Sequence, residues 1–269
     1  MAGDTPFWAV ALIDGVDFWR PAIFIGILSL LLLAQRVIPR RHDRAIAGRR
    51  FANYALGAVN IIVLRVLAPG GLVAIAIFNM DGGLTGWLPF SFLVEALLCL
   101  LALDLTLYLQ HRAFHKIPLL WRFHAPHHAD RVLDVSSGLR FHPGEAIISF
   151  AVKAAAIIAL GVHPAIVIMF EILLNAASLF NHADIRLGRA DGWLQKLIVT
   201  PDMHRLHHSR RTDEALTNFG FFLSVWDRLF ASYARTDNAR QQSMPLGLDE
   251  QAESDLLASL KAPFRPSQS

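Results

Sequence analysis

The sequence has few charged residues and almost no cysteine. Asp, Glu, Lys and Arg make up 17% of its 269 residues and hydrophobic residues make up 54%, whereas an ordinary soluble domain is about 25% charged. The single cysteine, Cys99, cannot form an intramolecular disulfide, which excludes a disulfide-stapled secreted module. The first 19 residues contain no Lys or Arg, so we expect no signal peptide. The composition predicts an integral membrane protein.

The basic residues are concentrated in one short stretch, and they are not interleaved with a polar aromatic face. We therefore expect no nucleic-acid binding, despite a net charge of +3. Residues 36–50 contain one acid, Asp43, and six arginines: Arg36, Arg40, Arg41, Arg44, Arg49 and Arg50. Because short loops rich in Lys and Arg stay in the cytoplasm, this loop is predicted to be cytoplasmic.

Four apolar regions are candidates to cross a bilayer, which takes about 20 apolar residues in a helix. They are residues 18–35, 51–78, 88–110 and 146–180. The second region is interrupted at residues 69–71, so we expect a helix there to be followed by a short re-entrant or interfacial piece. The fourth is interrupted at residues 161–164, which predicts a hairpin that crosses, or nearly crosses, the bilayer.

These regions predict an all-α, polytopic membrane protein with about four transmembrane helices in two hairpins. The chain is interpreted as one membrane domain, residues 1–269, with a cytosolic helical cap formed by residues 111–145 and 181–233 and a solvated tail over 235–269. Its short outer loops, and a length that leaves no room for a fused cytochrome domain, favour a bacterial inner-membrane protein.

Histidine is the most informative residue type, because ten of the twelve lie between His111 and His208. Three groups share close spacing, namely HRAFH at 111–115, HAPHH at 124–128 and HRLHH at 204–208, and His142 and His182 stand alone. Spacings of i, i+3 and i+4 put imidazoles on one helix face. A tetrahedral zinc needs only four ligands, so ten imidazoles suit two metal ions. The two remaining residues, His42 and His163, are predicted to be interfacial.

One local feature complicates the second histidine group. Pro126 disfavours a helical conformation for the preceding residue, Ala125. We therefore expect a helix to start near Pro126, with His124 reaching the metal from a cap position.

The motifs HRAFH, LWRFHAPHH, RFHPGE, NHAD and PDMHRLHH resemble the fatty acid hydroxylase and sterol desaturase superfamily of membrane-bound, histidine-box, non-haem diiron enzymes. The resemblance covers about residues 104–230. It implies two iron ions, with zinc as an alternative in purified protein, and O₂ as co-substrate for hydroxylation or desaturation of a lipid C–H bond. We favour hydroxylation. It also implies ten ligands: His111, His115, His124, His127, His128, His142, His182, His204, His207 and His208.

Within this resemblance, some polar residues are expected to support the ligands, because metal-bound imidazoles commonly donate their second N–H to a carboxylate or carbonyl. The selected candidates are Asp104, Asn181, Asp184 and Asp202, and the acids Asp130, Asp134 and Glu145 also neighbour the boxes. The sequence contains no Gly-rich dinucleotide fingerprint and no C-x-x-C pair. Electrons are therefore expected from a separate protein, a ferredoxin or a cytochrome b5-type donor.

Three other classes compete with an oxygenase. A metal transporter or sensor would carry histidines within its spans, and a membrane cytochrome would pair them on facing spans. A membrane zinc hydrolase would use a general base such as the Glu of HExxH, and no box contains one. Neither the metal nor the lipid substrate follows from spacing alone.

Overall fold

The computed structural model describes residues 6–41, 46–80, 82–87, 91–248 and 255–265. His42 and the predicted basic-loop residues Asp43 and Arg44 lie outside these ranges. In chain order the α-helices are α1 (Phe7–Asp14), α2 (Val16–Val37), α3 (Arg49–Leu67), α4 (Gly71–Phe78), α5 (Phe92–Lys116), α6 (Pro118–His128), α7 (Pro143–Leu160), α8 (Pro164–His182), α9 (Arg189–Leu194), α10 (Pro201–His207), α11 (Thr212–Ala215), α12 (Val225–Leu229), α13 (Asn238–Ser243) and α14 (Leu256–Lys261). The described residues pair in β fashion only at three isolated bridges.

Five segments are long and apolar enough to cross a membrane. They are α2, the α3–α4 segment Arg49–Phe78, α5, α7 and α8. Their burial differs, because 56% of the apolar window of α8 is buried in the protein but only 6% of that of α2. The exposed apolar side chains of α2 are suited to contact lipid. The all-α class of apolar membrane helices is thus confirmed, while the number of crossings remains a prediction.

The turn between α7 and α8 consists of residue types that end one helix and start the next. Gly161 ends α7 with a φ of 72°, and a Cβ there would lie 1.9 Å from the carbonyl oxygen of Gly82. His163 then caps α8 by accepting a hydrogen bond from the amide of Ala165, and Pro164 occupies the first turn. This turn coincides with the break predicted at residues 161–164.

Helix α8 is the centre of the apolar core. Its residues Ile166, Val167 and Ile168 are fully buried, and they belong to one cluster with Leu103 and Cys99 of α5. Cys99 is 1% exposed and serves as a small apolar side chain. The same two helices carry histidines near their C-terminal ends, so the core positions the candidate site.

The segment predicted as a solvated tail packs against the cap where the structure describes it. Met244 and Leu246 are buried and form a small cluster with Leu133 and Leu206. Farther along, the main-chain carbonyl of Leu260 in α14 accepts a hydrogen bond from a histidine discussed below. These apolar side chains bury surface that water would otherwise cover, which opposes a free tail.

The connection between α6 and α7 is held to α3 by a buried arginine. One Nη of Arg49 donates to Asp130 at 2.6 Å and to the carbonyl oxygen of Val132 at 2.6 Å, and the other donates to Asp134. Arg49 and both acids are less than 5% exposed. Because buried charges are costly unless paired, this cluster fixes the connection in one position.

Replacing Arg49 by Ala leaves two buried carboxylates without their main partner. We expect a loss of about 3–5 kcal/mol in the free energy of unfolding. Arg50→Ala is the matched control, because Arg50 donates to the same Asp134 at 2.8 Å but its side chain is 64% exposed, which predicts a loss of about 1 kcal/mol or less. Equal shifts in the thermal unfolding midpoints of the two detergent-purified variants would contradict this assignment.

The same cluster predicts a dependence of stability on pH. Burial alone raises the pKa of Asp134, but the charge of Arg49 and the donors Ser136 and Arg50 outweigh it and lower this pKa below its ordinary value. A lowered pKa contributes stability above the unfolded pKa of about 3.9, and the contribution is lost as pH falls through the folded pKa. We expect Asp134→Asn to be less stable than the parent near neutral pH and the gap to narrow below about pH 4. Thermal midpoints measured across that range test this, and a gap independent of pH would contradict it.

Candidate metal centre

Nine of the ten predicted ligands form two compact groups. Within each group, one candidate ligand atom per residue lies within 4.8 Å of the others. We name them group A, which contains His111, His115, His124, His128 and His207, and group B, which contains His127, His182, His204 and His208. The burial of eight of the nine residues is essentially complete, and His115 is intermediate.

Four helices bring these residues together. The C-terminal part of α5 carries two members of group A at i, i+4, and α6 carries three histidines that divide between the groups. His182 is the last residue of α8, while α10 and the residue that follows it carry the third box. The first box therefore contributes to group A alone, whereas the second and third boxes each contribute to both groups. Neither group forms from one helix alone.

The expected helix start at Pro126 is wrong, because α6 begins at Pro118 and runs through Pro126 to His128. Proline at the first turn of a helix costs nothing, which suits Pro118. The interior proline forgoes one helical hydrogen bond, and its own carbonyl oxygen accepts from Nε of Arg140 at 2.8 Å. His124 is therefore a helical residue, and it does not act from a cap.

Five of the imidazoles use Nδ1 to contact an acceptor outside the groups. The acceptors of His111, His127, His182 and His207 are main-chain carbonyls, and that of His124 is the carboxylate of Glu145. The contacts are His111 to Phe219 at 2.9 Å, His127 to Arg140 at 3.1 Å, His182 to Ser178 at 2.7 Å, His207 to Thr217 at 2.8 Å and His124 to Glu145 at 2.8 Å. A carbonyl oxygen can only accept, so Nδ1 carries the proton and Nε2 presents a lone pair.

The Nε2 atoms converge at distances that suit a shared cation. In group B they are separated by 3.1 Å between His127 and His182, 3.0 Å between His182 and His204, and 3.1 Å between His204 and His208. His127 and His182 both present lone pairs, so no hydrogen bond can join them in their neutral forms. Because imidazole nitrogens bind metal ions at about 2.0–2.1 Å, nitrogens this close together could share one ion.

The Nε2 atoms of group A are also arranged to bind a cation. The Nε2 atoms of His115, His124, His128 and His207 are buried, and none has a hydrogen-bond partner in the described part of the chain. Buried polar atoms are almost always satisfied in folded proteins. A metal ion would satisfy all four at once, so the residues present fit a metal in both groups.

The protonation states also favour metal binding. Burial lowers the pKa of His207 to about 3. Burial, followed by the proximity of other imidazoles, holds the pKa of His127, His128, His204 and His208 well below the ordinary value. These rings are neutral near pH 7, and the neutral imidazole is the form that binds metal.

His142 is the one predicted ligand that lies outside both groups. Its Nδ1 accepts from the amide of Gly144 at 2.9 Å, and its Nε2 contacts the carbonyl oxygen of Leu260 at 3.1 Å. It thereby caps α7 and holds the segment that contains α14. With both nitrogens engaged and the ring away from the converging lone pairs, His142 is not part of the set that the geometry assembles.

The four predicted supporting residues do not contact the imidazoles directly in the hydrogen bonds found among the described residues. Asp104 accepts from the amides of Phe222 and Leu223, each at 3.1 Å, and from Nε1 of Trp226 at 2.8 Å. Asn181 donates to the carbonyl oxygen of Phe221 at 2.7 Å. Both therefore hold the loop at residues 219–224, which includes the carbonyl acceptor of His111.

The other two, Asp184 and Asp202, pair with Arg205. The two Nη atoms of Arg205 donate to one carboxylate each at 2.9 Å. Arg205 is fully buried, and it lies on α10 beside the third box. These acids thus fix the helix that carries the ligands and leave the imidazoles to other acceptors.

From the sequence, Glu145 is named among the acids near the boxes but is not selected. Carbonyl acceptors are expected as a class, but no individual main-chain carbonyl is named. Glu145 lies in the first turn of α7, where its carboxylate is buried against His124. Its signal was its place three residues after His142. The carbonyls have no sequence signal, since every residue carries one.

The chain matches the family model described as fatty acid hydroxylase over residues 96–232, just over half of its length. It is 30% identical over 176 residues to the ornithine lipid hydroxylase OlsE of Rhizobium tropici, covering 65% of this chain and 51% of that protein. It is 29% identical over 157 residues to the alkylglycerol monooxygenase of Danio rerio, covering 57% and 31%. The very-long-chain aldehyde decarbonylase GL1-1 of Oryza sativa subsp. indica is 27% identical over 195 residues, covering 66% and 31%.

The chain spans about half the length of the first of these relatives and under a third of the other two. No solved structure is significantly similar to it. The matched family region contains both histidine groups.

Replacing Glu145 by Gln tests the acceptor of His124. The amide is nearly isosteric but cannot stabilise the donated N–H as a carboxylate does, so we expect metal affinity in group A to fall about 10–100-fold. Metal retained after dialysis against graded chelator concentrations measures the change. Asp213→Asn is the control, because Asp213 is exposed and pairs only with Arg211 among the described residues. Equal retention by both variants would remove Glu145 from this role.

Proposed function

Because the chain belongs to the fatty acid hydroxylase family, we propose that it is a membrane-bound oxygenase that uses two iron ions and O₂ to hydroxylate a C–H bond of a lipid. One observation carries the proposal: two adjoining groups of buried imidazoles turn their Nε2 lone pairs toward each other. Neutral imidazole suits iron as well as zinc, so the geometry supports a pair of metals and the family supports iron.

Group A would hold one iron and group B the other, with nine histidines as ligands. When bound, the irons supply the reactivity toward O₂ that oxidises an unactivated C–H bond. The protein's own groups orient the rings, because each Nδ1 contact fixes a tautomer and a ring plane. They also exclude water, since eight of the nine rings are buried. Zinc remains the alternative metal in purified protein.

A lipid substrate is supported by how the site joins the apolar helices. Leu109, two residues before His111 on α5, is 47% exposed, and Leu97 and Leu98 on the same helix are 59% and 43% exposed. An alkyl chain lying along α5 would run from the hydrocarbon region toward group A. The names of two relatives, a lipid hydroxylase and an alkylglycerol monooxygenase, favour hydroxylation over desaturation.

The membrane side and the electron donor extend the same proposal. Group A begins at the C-terminal end of α5 and group B includes the C-terminal end of α8, while Glu145 starts α7. These three positions share one face of the helix bundle, and the arginine-rich residues 36–50 favour the cytoplasmic side for it. We propose a single membrane domain in a bacterial inner membrane, with electrons from a ferredoxin or a cytochrome b5-type protein.

The competing classes are less well supported by the same geometry. The two groups offer five and four histidines, whereas a zinc hydrolase uses three protein ligands and keeps the fourth position open for water. The histidines gather at one end of the helices, whereas a transport route would run along the spans.

The test is metal content and oxygen incorporation in protein expressed with ample iron. We expect about two irons per chain, and product lipid that carries ¹⁸O when turnover proceeds under ¹⁸O₂ with a reductant. His207→Ala in group A and His204→Ala in group B should each lose iron and turnover together. Each substitution removes one ligand of an ion that the rest of its group shares, and the remaining ligands then hold that ion more weakly. His142→Ala is the matched control and should keep its iron.

A different result would overturn the oxygenase. One tightly bound zinc after iron-replete expression, with lipid turnover that continues without O₂, would favour a hydrolase. Equal loss of iron in His142→Ala would instead restore His142 to the ligand set.

A further inference from the structure

A polar cavity of about 300 Å³ lies on the cap, and no member of either histidine group lines it. It is bounded by α9, by the N-terminal part of α10, by α13 and by the segment that precedes α13. Asp202 and Met203 of α10 line it, immediately before the group B ligand His204, but no histidine does. The cavity is at the small end of the range for ligand sites, which begins at about 300 Å³.

The cavity carries an excess of positive charge. Its charged lining consists of four arginines and two acids: Arg40, Arg186, Arg189, Arg235, Asp191 and Asp202. Asp202 is already engaged by Nε of Arg40 at 3.0 Å and by Arg205 at 2.9 Å. Asp191 accepts from Gln195 at 2.5 Å. With two acids against four arginines, the lining keeps a formal excess of positive charge.

One of these arginines is buried with an unused donor. Arg40 is 6% exposed, and its Nη1 is buried without a hydrogen-bond partner among the residues that the structure describes. A buried guanidinium N–H without an acceptor costs free energy. The other three guanidinium groups are on exposed residues, and they form no ion pair within the described ranges. Four arginine groups around one concavity match the oxygens of an oxyanion.

Helix α9 places this cavity beside an apolar surface. Asp191 and Gln195 are four residues apart and line the cavity, whereas Trp193 and Leu197 face the other way and are 71% and 70% exposed. Nζ of Lys196 lies 3.9 Å from the centre of the Trp193 ring. Exposed Trp beside Lys is typical of the headgroup level of a membrane. The surface beside the cavity is therefore suited to the headgroup level of a membrane.

We propose that this cavity binds an oxyanion, a phosphate or a carboxylate, through the guanidinium groups of Arg40, Arg186, Arg189 and Arg235. The anion comes either from a lipid headgroup at the membrane surface or from the solution. This site goes beyond the proposed oxygenase reaction, because neither histidine group takes part in it. Its binding can be measured without turnover, so its failure and that of the oxygenase are separate results.

The test uses the full chain with its metals in phosphatidylcholine nanodiscs and two probes. The first probe is inorganic phosphate, titrated at constant ionic strength, and the second is phosphatidic acid added to the bilayer. The readout is the thermal unfolding midpoint, which rises when a ligand binds the folded state. A response to phosphatidic acid alone assigns the anion to a lipid headgroup, whereas a response to both probes assigns the site to the oxyanion itself.

Arg189→Gln and Arg235→Gln remove one exposed guanidinium each and should weaken binding about tenfold per substitution. Arg211→Gln is the matched control, because Arg211 is an exposed arginine outside the cavity that pairs with Asp213. No response to either probe would overturn the proposal, and so would an equal loss of binding in Arg211→Gln.

Discussion

The proton on Nδ1 is the constraint on which the candidate metal centre depends. Main-chain carbonyls of four residues and one buried carboxylate accept hydrogen bonds from the Nδ1–H groups of five imidazoles. Each Nε2 is thereby left as a lone pair, and burial keeps the rings neutral. Lone pairs about 3 Å apart in a dry interior repel one another unless a cation lies between them. The hydrogen bonds around the site therefore make both groups suited to hold a metal.

The acceptors are positioned by interactions one step farther out. The connection that supplies the carbonyl of Arg140 is held to α3 by the buried Arg49 and its two acids. Two acids hold the loop that supplies the carbonyl of Phe219. Asp104 accepts from the amide of Phe222 at 3.1 Å, and Asp227 accepts from the amide of Phe219 at 2.7 Å. These acids thus position the main chain, and main-chain carbonyls in turn orient the imidazole rings.

Helix α10 contributes residues both to the histidine groups and to the arginine-rich cavity. Its histidines belong to groups A and B, while Asp202 and Met203 line the arginine-rich cavity. Arg205, fully buried between Asp202 and Asp184, keeps this short helix in one orientation. An anion held in the cavity would be anchored next to the helix that carries two of the proposed ligands, His204 and His207. If both proposals hold, an anion would be recognised in this cavity, and the lipid would be oxidised at the metal centre that the buried rings form.

Composition and spacing by themselves determined the membrane class, the helical fold, the break at residues 161–164 and eight of the nine histidines that come together; the ninth, His182, was expected only from the resemblance to the family. Apolar length and the i, i+3, i+4 pattern are local properties, so they survive without a structure. Tertiary structure alone decided that His142 caps a helix, that Pro126 lies within α6, that Glu145 is the acceptor of His124 and that four arginines share a cavity. Each depends on segments distant in sequence meeting in space, and main-chain acceptors look alike at every residue.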